Sequence, residues 1–446
     1  MRDILLASLV LSLGIIALRR PWVGIMLWTW LSIMNPHRYT YGFAYDAPLA
    51  AIAVGTTVIG MFATRDRRES PFKGAATKFL VAFMMWVTLS WQLGLDPALD
   101  YAQWAKVMKI DIMIIAALAV LHTKQHVFAL LWVSAGSLAL LGIKGGVFTL
   151  LTGGNYRVWG PPGSFIEDNN EFALSLVMTI PLLRFLQHQL VGKWARLGVW
   201  VVMLLCGVAA IGSYSRGALL AISAMLVALW WRGKNKIFIG IGMVLGSVLL
   251  VAFMPDAWNA RMSSINDYET DLSALGRISA WWTAWGIGLH YPTGIGFDAA
   301  RPELFAMYSP YPTFVHAAHS IYFQMLGNHG FIGLFLFLGI WIASWRAAGS
   351  LRSSGNIGPQ TTWCAELGAM CQVSLIGYAV GGAFLSLAYF DLPYDIMVAL
   401  VVARRWVEER GWETEPQQPF AWRWVPGLAK SSAVAPAVKG RPPSHA

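Results

Sequence analysis

The chain of 446 residues is 57% hydrophobic and only 13% charged, with a mean hydropathy of +0.53. Soluble domains carry roughly a quarter charged residues, so a chain this long at half that figure lacks the charge to cover a wetted surface, and a water-soluble globular protein is excluded. The excess of 33 Lys and Arg over 23 Asp and Glu gives +10, which in a membrane protein reports where the cytoplasmic connections lie and does not point to nucleic acid. The three cysteines, Cys206, Cys364 and Cys371, sit inside apolar runs and offer no disulfide framework, CxxC pair or zinc ligand set.

Apolar stretches able to span or nearly span a bilayer are predicted near 3–18, 21–35, 47–64, 76–93, 104–121, 126–147, 170–187, 195–213, 216–231, 237–254, 318–345, 363–388 and 393–407. A span needs about twenty residues, so the first two are short. One Arg precedes the first stretch and no small-residue cleavage site follows it, which predicts a retained membrane segment. Ten-residue alternation with turns is absent, so helices and not strands are expected, and the fold class is an all-α integral membrane protein, a polytopic helical bundle. One alternating set of connections carries Arg19, Arg20, Arg65, Arg67, Arg68, Lys73, Lys78, Lys124, Lys193, Arg196, Arg232, Lys234, Lys236, Arg346, Arg352 and the basic residues from Arg404 onward; it is assigned to the cytoplasm. The opposite set holds Arg38, Arg157, Arg216, Arg261, Arg277 and Arg301 and faces outward, with the two long loops 148–169 and 255–317. Parity leaves two choices: an external N-terminus if every stretch crosses, or a cytoplasmic one if residues 3–35 cross once. The expected organisation is an N-terminal bundle over 1–254, an outer loop with an interfacial helix over 255–317, C-terminal helices over 318–407, and a Pro/Ala/Ser-rich cytoplasmic tail over 408–446 that is disordered from about 411.

The candidate chemistry lies on the outward side. Gly163-Ser164-Phe165-Ile166-Glu167-Asp168-Asn169-Asn170-Glu171 ends the first long loop; Asp168 and Glu171 have capping-box spacing, while Asp168, Asn169 and Asn170, with Arg157 upstream, also suit sugar hydroxyls. Arg216 sits in Gly212-Ser213-Tyr214-Ser215-Arg216-Gly217, a connection so short that the guanidinium must lie near the outer interface, where it either meets a lipid-linked phosphate or snorkels to headgroups. Residues 274–290 place Leu275, Ile278, Trp282 and Trp285 at helical spacing, which predicts an amphipathic helix along the membrane surface with Arg277 projecting from its first turn. A Gly-rich turn follows at Pro292-Thr293-Gly294-Ile295-Gly296-Phe297, with no Walker lysine beside it. His316-Ala317-Ala318-His319-Ser320 enters the next apolar segment, and a spacing of three would put both imidazoles on one helical face, suited to a general base. His329, ten residues beyond His319 and deeper in the segment, reads as structural. An HExxH glutamate, a third ligand and a DxD pair are missing, so neither zinc binding nor metal-assisted departure of pyrophosphate is indicated.

Taken together, Ser215-Arg216-Gly217, Arg277 followed by Trp281-Trp282, the PxGxGF at 292–297, and the HxxHS at 316–320 followed by Gly330 and Gly333 resemble the O-antigen ligase and polymerase superfamily of bacterial envelope glycosyltransferases. The stretch DNNEFAL at 168–174 is similar to the O-glycosylation ligase branch, and the pairing of SRG with HAAHS to the ligases of lipopolysaccharide assembly. The resemblance covers roughly residues 1–407. It implies a GT-C-like bundle of about twelve transmembrane helices with cytoplasmic termini, sitting in the bacterial inner membrane under a large periplasmic loop. It also implies inverting transfer of a glycan from an undecaprenyl-pyrophosphate-linked donor to a hydroxyl of a lipid A core acceptor, with no cofactor or metal. Arg216 and Arg277 then bind the pyrophosphate, and His319, or His316 one turn before it, serves the acceptor hydroxyl. A polymerase or a protein O-oligosaccharyltransferase of the same superfamily differs in acceptor. A lipid-linked glycan transporter requires instead a path of buried charge, for which Lys106, Lys109, Asp111, Lys144 and Arg184 are the candidates. Membrane lipids are expected partners, nucleic acid is not, and the glycan and oligomeric state are not encoded legibly.

Overall fold

The computed structural model describes residues 1–232, 235–263 and 272–415, and among them every regular element is helical. In chain order these are α1 (Arg2–Arg19), α2 (Pro21–Met34), α3 (Leu49–Ala63), α4 (Ala75–Gln92), α5 (Pro97–Val120), α6 (Lys124–Leu151), α7 (Asn169–Gln189), α8 (Lys193–Gly212), α9 (Arg216–Arg232), α10 (Lys236–Phe253), α11 (Asp256–Ser263), α12 (Leu272–His290), α13 (Pro302–Tyr308), α14 (Ile321–Ser354), α15 (Thr362–Gly382), α16 (Asp391–Glu408) and α17 (Gly411–Thr414). Each predicted apolar stretch overlaps one of them. Among the described residues, α6, α8, α14 and the run Pro359–Gly382 are long and apolar enough to cross a membrane, and α2, α3 and α9 contain shorter apolar runs. Large apolar side chains such as Ile4, Ile15, Leu204, Val244 and Phe335 lie exposed on the outer faces, the pattern of a membrane-embedded protein whose solvent is lipid.

Local chemistry sets the helix ends. Asp96 caps α5 by accepting from Leu99 N at 3.0 Å, with Pro97 at the first helical position; Thr123 caps α6 through His126 N at 3.1 Å. Small residues then let backbones touch. A Cβ on Gly60 would stand 2.3 Å from the Ala17 carbonyl, and one on Gly146 2.4 Å from that of Leu205, so α3 closes on α1 and α6 on α8 through glycine. Helices α7 and α16 are buried on nearly all sides and form the centre of the bundle. At one end of α16, the buried Arg405 guanidinium donates to the carbonyls of Leu118, Pro71 and Lys73 at 2.7–3.1 Å, tying three chain segments together.

Helix α14 is broken at Gly330, whose backbone (φ 67°, ψ −173°) is not helical. The break turns the carbonyls of Asn328 and His329 to partners outside the helix. Asn328 O accepts from Ile295 N, Gly296 N and Ser90 Oγ at 3.0–3.1 Å, and His329 O accepts from Trp86 Nε1 at 2.8 Å. The Gly-rich turn at 292–297 is therefore a docking piece for α14: Gly294 has φ 75°, and a Cβ there would lie 2.1 Å from Asn328 O. Phe297 N completes the dock by donating to the buried Asp100 carboxylate on α5 at 2.7 Å. His329 is structural, as expected, bonded to Ser90 Oγ at 2.9 Å and Tyr389 Oη at 2.6 Å.

Helix α12 packs its small side, Gly276, Ser279, Ala280, Thr283, Ala284 and Gly288, on α14, while Trp282, Trp285 and Leu289 point away from the protein. Three expectations need correction. Because α12 begins at Leu272, Arg277 lies in its second turn, beyond the reach of the N-terminal partial charge, which fades within one turn. His316 and His319 do not share a helical face: residues 314–319 are irregular and α14 starts only at Ile321, because His319 adopts a left-handed φ of 41°. The tail also stays ordered a little past 411, where α17 is followed by Glu415, which accepts from Trp406 Nε1 at 2.9 Å and Lys124 N at 3.2 Å. Residues 416–446, the rest of the expected tail, lie outside the described residues.

Replacing Gly294 by Ala is expected to lower stability by at least about 1–3 kcal/mol from the left-handed backbone alone. The drop is read as a lower Tm of the detergent-solubilised protein, and an unchanged Tm would contradict the docking role.

Candidate active site

Four segments distant in sequence meet around His319. The first is the start of α7. Asp168 caps it, its Oδ1 accepting from Asn170 N and Nδ2 at 2.8 Å each. Glu171 does not close a capping box. It turns inward at 5% exposure, where its Oε1 accepts from Ser386 N at 3.3 Å and lies 3.7 Å from His319 Nδ1. Its second oxygen and His319 Nδ1 are both buried without a hydrogen-bond partner. Burial works to raise the Asp168 carboxyl, but its hydrogen bonds, those from Asn170 N and Nδ2 among them, outweigh it and hold the group below the ordinary carboxylate range.

The second segment is the turn between α8 and α9. Ser213 Oγ accepts from Ser215 N at 3.2 Å, Ser215 Oγ caps α9 through Ala218 N at 3.2 Å, and Tyr214, at φ 63°, donates its hydroxyl to Gly154 O at 2.7 Å. Arg216 is thereby the first residue of α9 and is half-buried. Gly217 gives room for Phe384, 3.3 Å from where a Cβ would stand. The turn is fastened to α7 by the buried Asn169 amide, which donates to Ser213 O at 2.6 Å. Asn169 thus spends its amide on the Arg216 turn.

The third and fourth segments are α12 and the strap 314–320. The His316 ring packs on Gly276, one residue before the half-buried Arg277, and lies 4.9 Å from the His319 ring. Trp281 donates Nε1 to Ala318 O at 2.7 Å and stacks on Phe323, pinning the strap to the helix. Partial burial, then the neighbouring His319, lower the His316 pKa from 6.5; a hydrogen bond with the Ala317 carbonyl opposes this and Arg277 adds to it. His316 is therefore neutral at pH 7. Beside it opens a cavity of about 100 Å³ lined by Asp298, Gln324, Asn328 and Ser386, with the Gln324 carbonyl oxygen buried and unpartnered.

Asp168, Asn169, Asn170, Arg216, Arg277, His316 and His319 thus belong to one neighbourhood. Arg157 does not join them directly: it lies behind Tyr214, its guanidinium 5.7 Å from that ring, in an open cleft shared with Arg261. Among the described residues no three His, Cys, Asp or Glu side chains form a metal-binding group. Spacing did not reveal Glu171 as a partner of His319, because capping accounted for it, and no pattern marks Ser386 or Gln324. The transporter path is not continuous: Lys106 and Lys109 open into a cavity at the α7 entry loop, whereas Arg184 bonds to Gln187 at the other end of α7. The buried carboxylates Asp111 and Asp395, one on each of α5 and α16, gather around Asp391.

Asn169→Ala strips the Ser213 carbonyl of its buried donor, an expected loss of about 1–3 kcal/mol. It should appear as a lower Tm, while Asn170→Ala, whose amide is half-exposed, changes Tm less.

Residues 201–338 match the family model described as O-antigen ligase, and residues 1–190 match a family of unknown function, DUF5935. No curated protein matches the chain. Arg216, Arg277, His316 and His319 fall in the first of these segments, and Asp168 to Glu171 in the second. The match over residues 201–338 supports membership of the O-antigen ligase superfamily.

Proposed function

We propose that this protein is an O-antigen ligase of the bacterial inner membrane, with about twelve transmembrane helices and its site facing the periplasm. It transfers a glycan from undecaprenyl pyrophosphate to a hydroxyl of the lipid A core, inverting the anomeric centre without a metal ion. The observation that carries this reading is the convergence of His319, backed by Glu171 at 3.7 Å, with the Arg216 turn and the Arg277 helix in one neighbourhood.

Each group has a step. The acceptor hydroxyl attacks the anomeric carbon from the face opposite the pyrophosphate; its oxygen forms the new glycosidic bond as the bond from carbon to the pyrophosphate oxygen breaks. Arg216 and Arg277 hold the pyrophosphate oxygens and stabilise the charge left on undecaprenyl pyrophosphate. His319 Nδ1 faces Glu171, which leaves Nε2 to take the hydroxyl proton, and the buried carboxylate stabilises the imidazolium that forms. Neutral His316 and the cavity beside it, with Asp298 and Gln324, suit the hydroxyls of the acceptor sugar. The donor is already activated, so no nucleotide is consumed.

Reconstitution with undecaprenyl-pyrophosphate glycan and lipid A core tests this. Arg216→Ala is expected to lower the rate by about 10²–10³-fold and His319→Ala by about 10²–10⁴-fold, with EDTA leaving the wild type unaffected. Strict dependence on added divalent metal would sink the mechanism. Loss in His316→Ala with retention in His319→Ala would move the base to His316, and a product made of two joined donor glycans would assign a polymerase.

A further inference from the structure

We propose that a second pocket, between α2, α5 and the loop at 163–165, binds a phosphate carried by a membrane lipid. The pocket has a volume of about 200 Å³ and borders none of the residues lining the cavity beside His316. Lys106 and Lys109, one helical turn apart on α5, both open into it with exposed side chains. They stand where α5 changes from a polar first half, with Asp100 and Gln103, to an apolar second half that begins at Ile110. Two neighbouring ammonium groups beside an apolar wall favour an anion.

The described residues place none in direct contact. Among the described residues no carboxylate lies within ion-pair distance of either lysine. The two acidic groups whose fields reach Lys106 stand further off, behind the pocket wall: Asp391 accepts from Ser32 Oγ at 2.7 Å, and Glu167 from Gly163 N at 2.8 Å. Lys106 Nζ instead rests 3.8 Å over the Phe165 ring. Around the lysines the wall offers further polar groups, the Ser164 hydroxyl and His37, whose Nδ1 is buried without a partner. Trp28 and Leu31 form an apolar side to the same pocket. Two point cations, hydroxyl and imidazole groups, and an adjoining apolar wall match a phosphate attached to an acyl-bearing molecule. The lining residues fall entirely within 1–190, the segment that matches a family of unknown function, and give that segment a ligand of its own.

The pocket stands apart from the transferase reading and is tested without activity. The full-length protein in neutral detergent is titrated with phosphatidylglycerol, phosphorylated lipid A, dephosphorylated lipid A and diacylglycerol, and bound lipid is counted by native mass spectrometry. One saturable site is expected for a phosphorylated lipid, weakened at least about tenfold in Lys106→Gln/Lys109→Gln, retained in Lys106→Arg/Lys109→Arg, and unaltered in Arg216→Ala. The phosphorylated lipid that binds more tightly identifies the source, ordinary phospholipid or glycolipid. Equal binding by the Gln variant with a wild-type Tm, or equal binding of the dephosphorylated lipids, would overturn the proposal.

Discussion

A backbone carbonyl released from its helix inside a low-dielectric bundle must find another donor, and the break at Gly330 releases such groups in the middle of α14. The donors that answer come from α4 and from the turn at 292–297, which in turn is fixed to α5 through Asp100. Because that turn follows α12, the same bonds set where α12 ends relative to α14. Arg277 rides on one of these helices, and His319 stands just before the other. The geometry of the site is thus set in part by the hydrogen bonds made at this break, on whose near side Asn328 also lines the cavity beside His316.

Much of the scaffold was legible because lipid leaves the chain few options: long apolar runs become helices, and basic residues punctuate them. What escaped the sequence depends on backbone torsion and on partners far along the chain. The spacing of His316 and His319 suggested a helix, yet the rings approach through a strap whose left-handed residue no spacing rule reveals. In α12 the tryptophans drew attention, although the repeat of Gly276, Ser279, Ala280 and Thr283 marks the side that packs. Glu171 already had a sufficient local explanation, and only the fold brings it to His319. The Gly-rich turn has its glycines for contact with Asn328, a need that looks the same in sequence as a phosphate cradle.

Two of the four described non-glycine residues at positive φ stand at the site. Tyr214 and His319 are both held at positive φ, each beside a residue or ring of the site, and in each case neighbouring bonds enforce the conformation: the Tyr214 hydroxyl on Gly154, and Trp281 on Ala318. Such torsions cost free energy and persist only where surrounding contacts hold them.

The contact between Glu171 and His319 joins the two segments that match different families, one ending at residue 190 and the other beginning at 201. Asn169 repeats the arrangement by holding the carbonyl of Ser213. The segments therefore do not behave as interchangeable modules. A chain that recombined them from unrelated parents would carry a histidine without its neighbouring carboxylate, or a turn without its clasp.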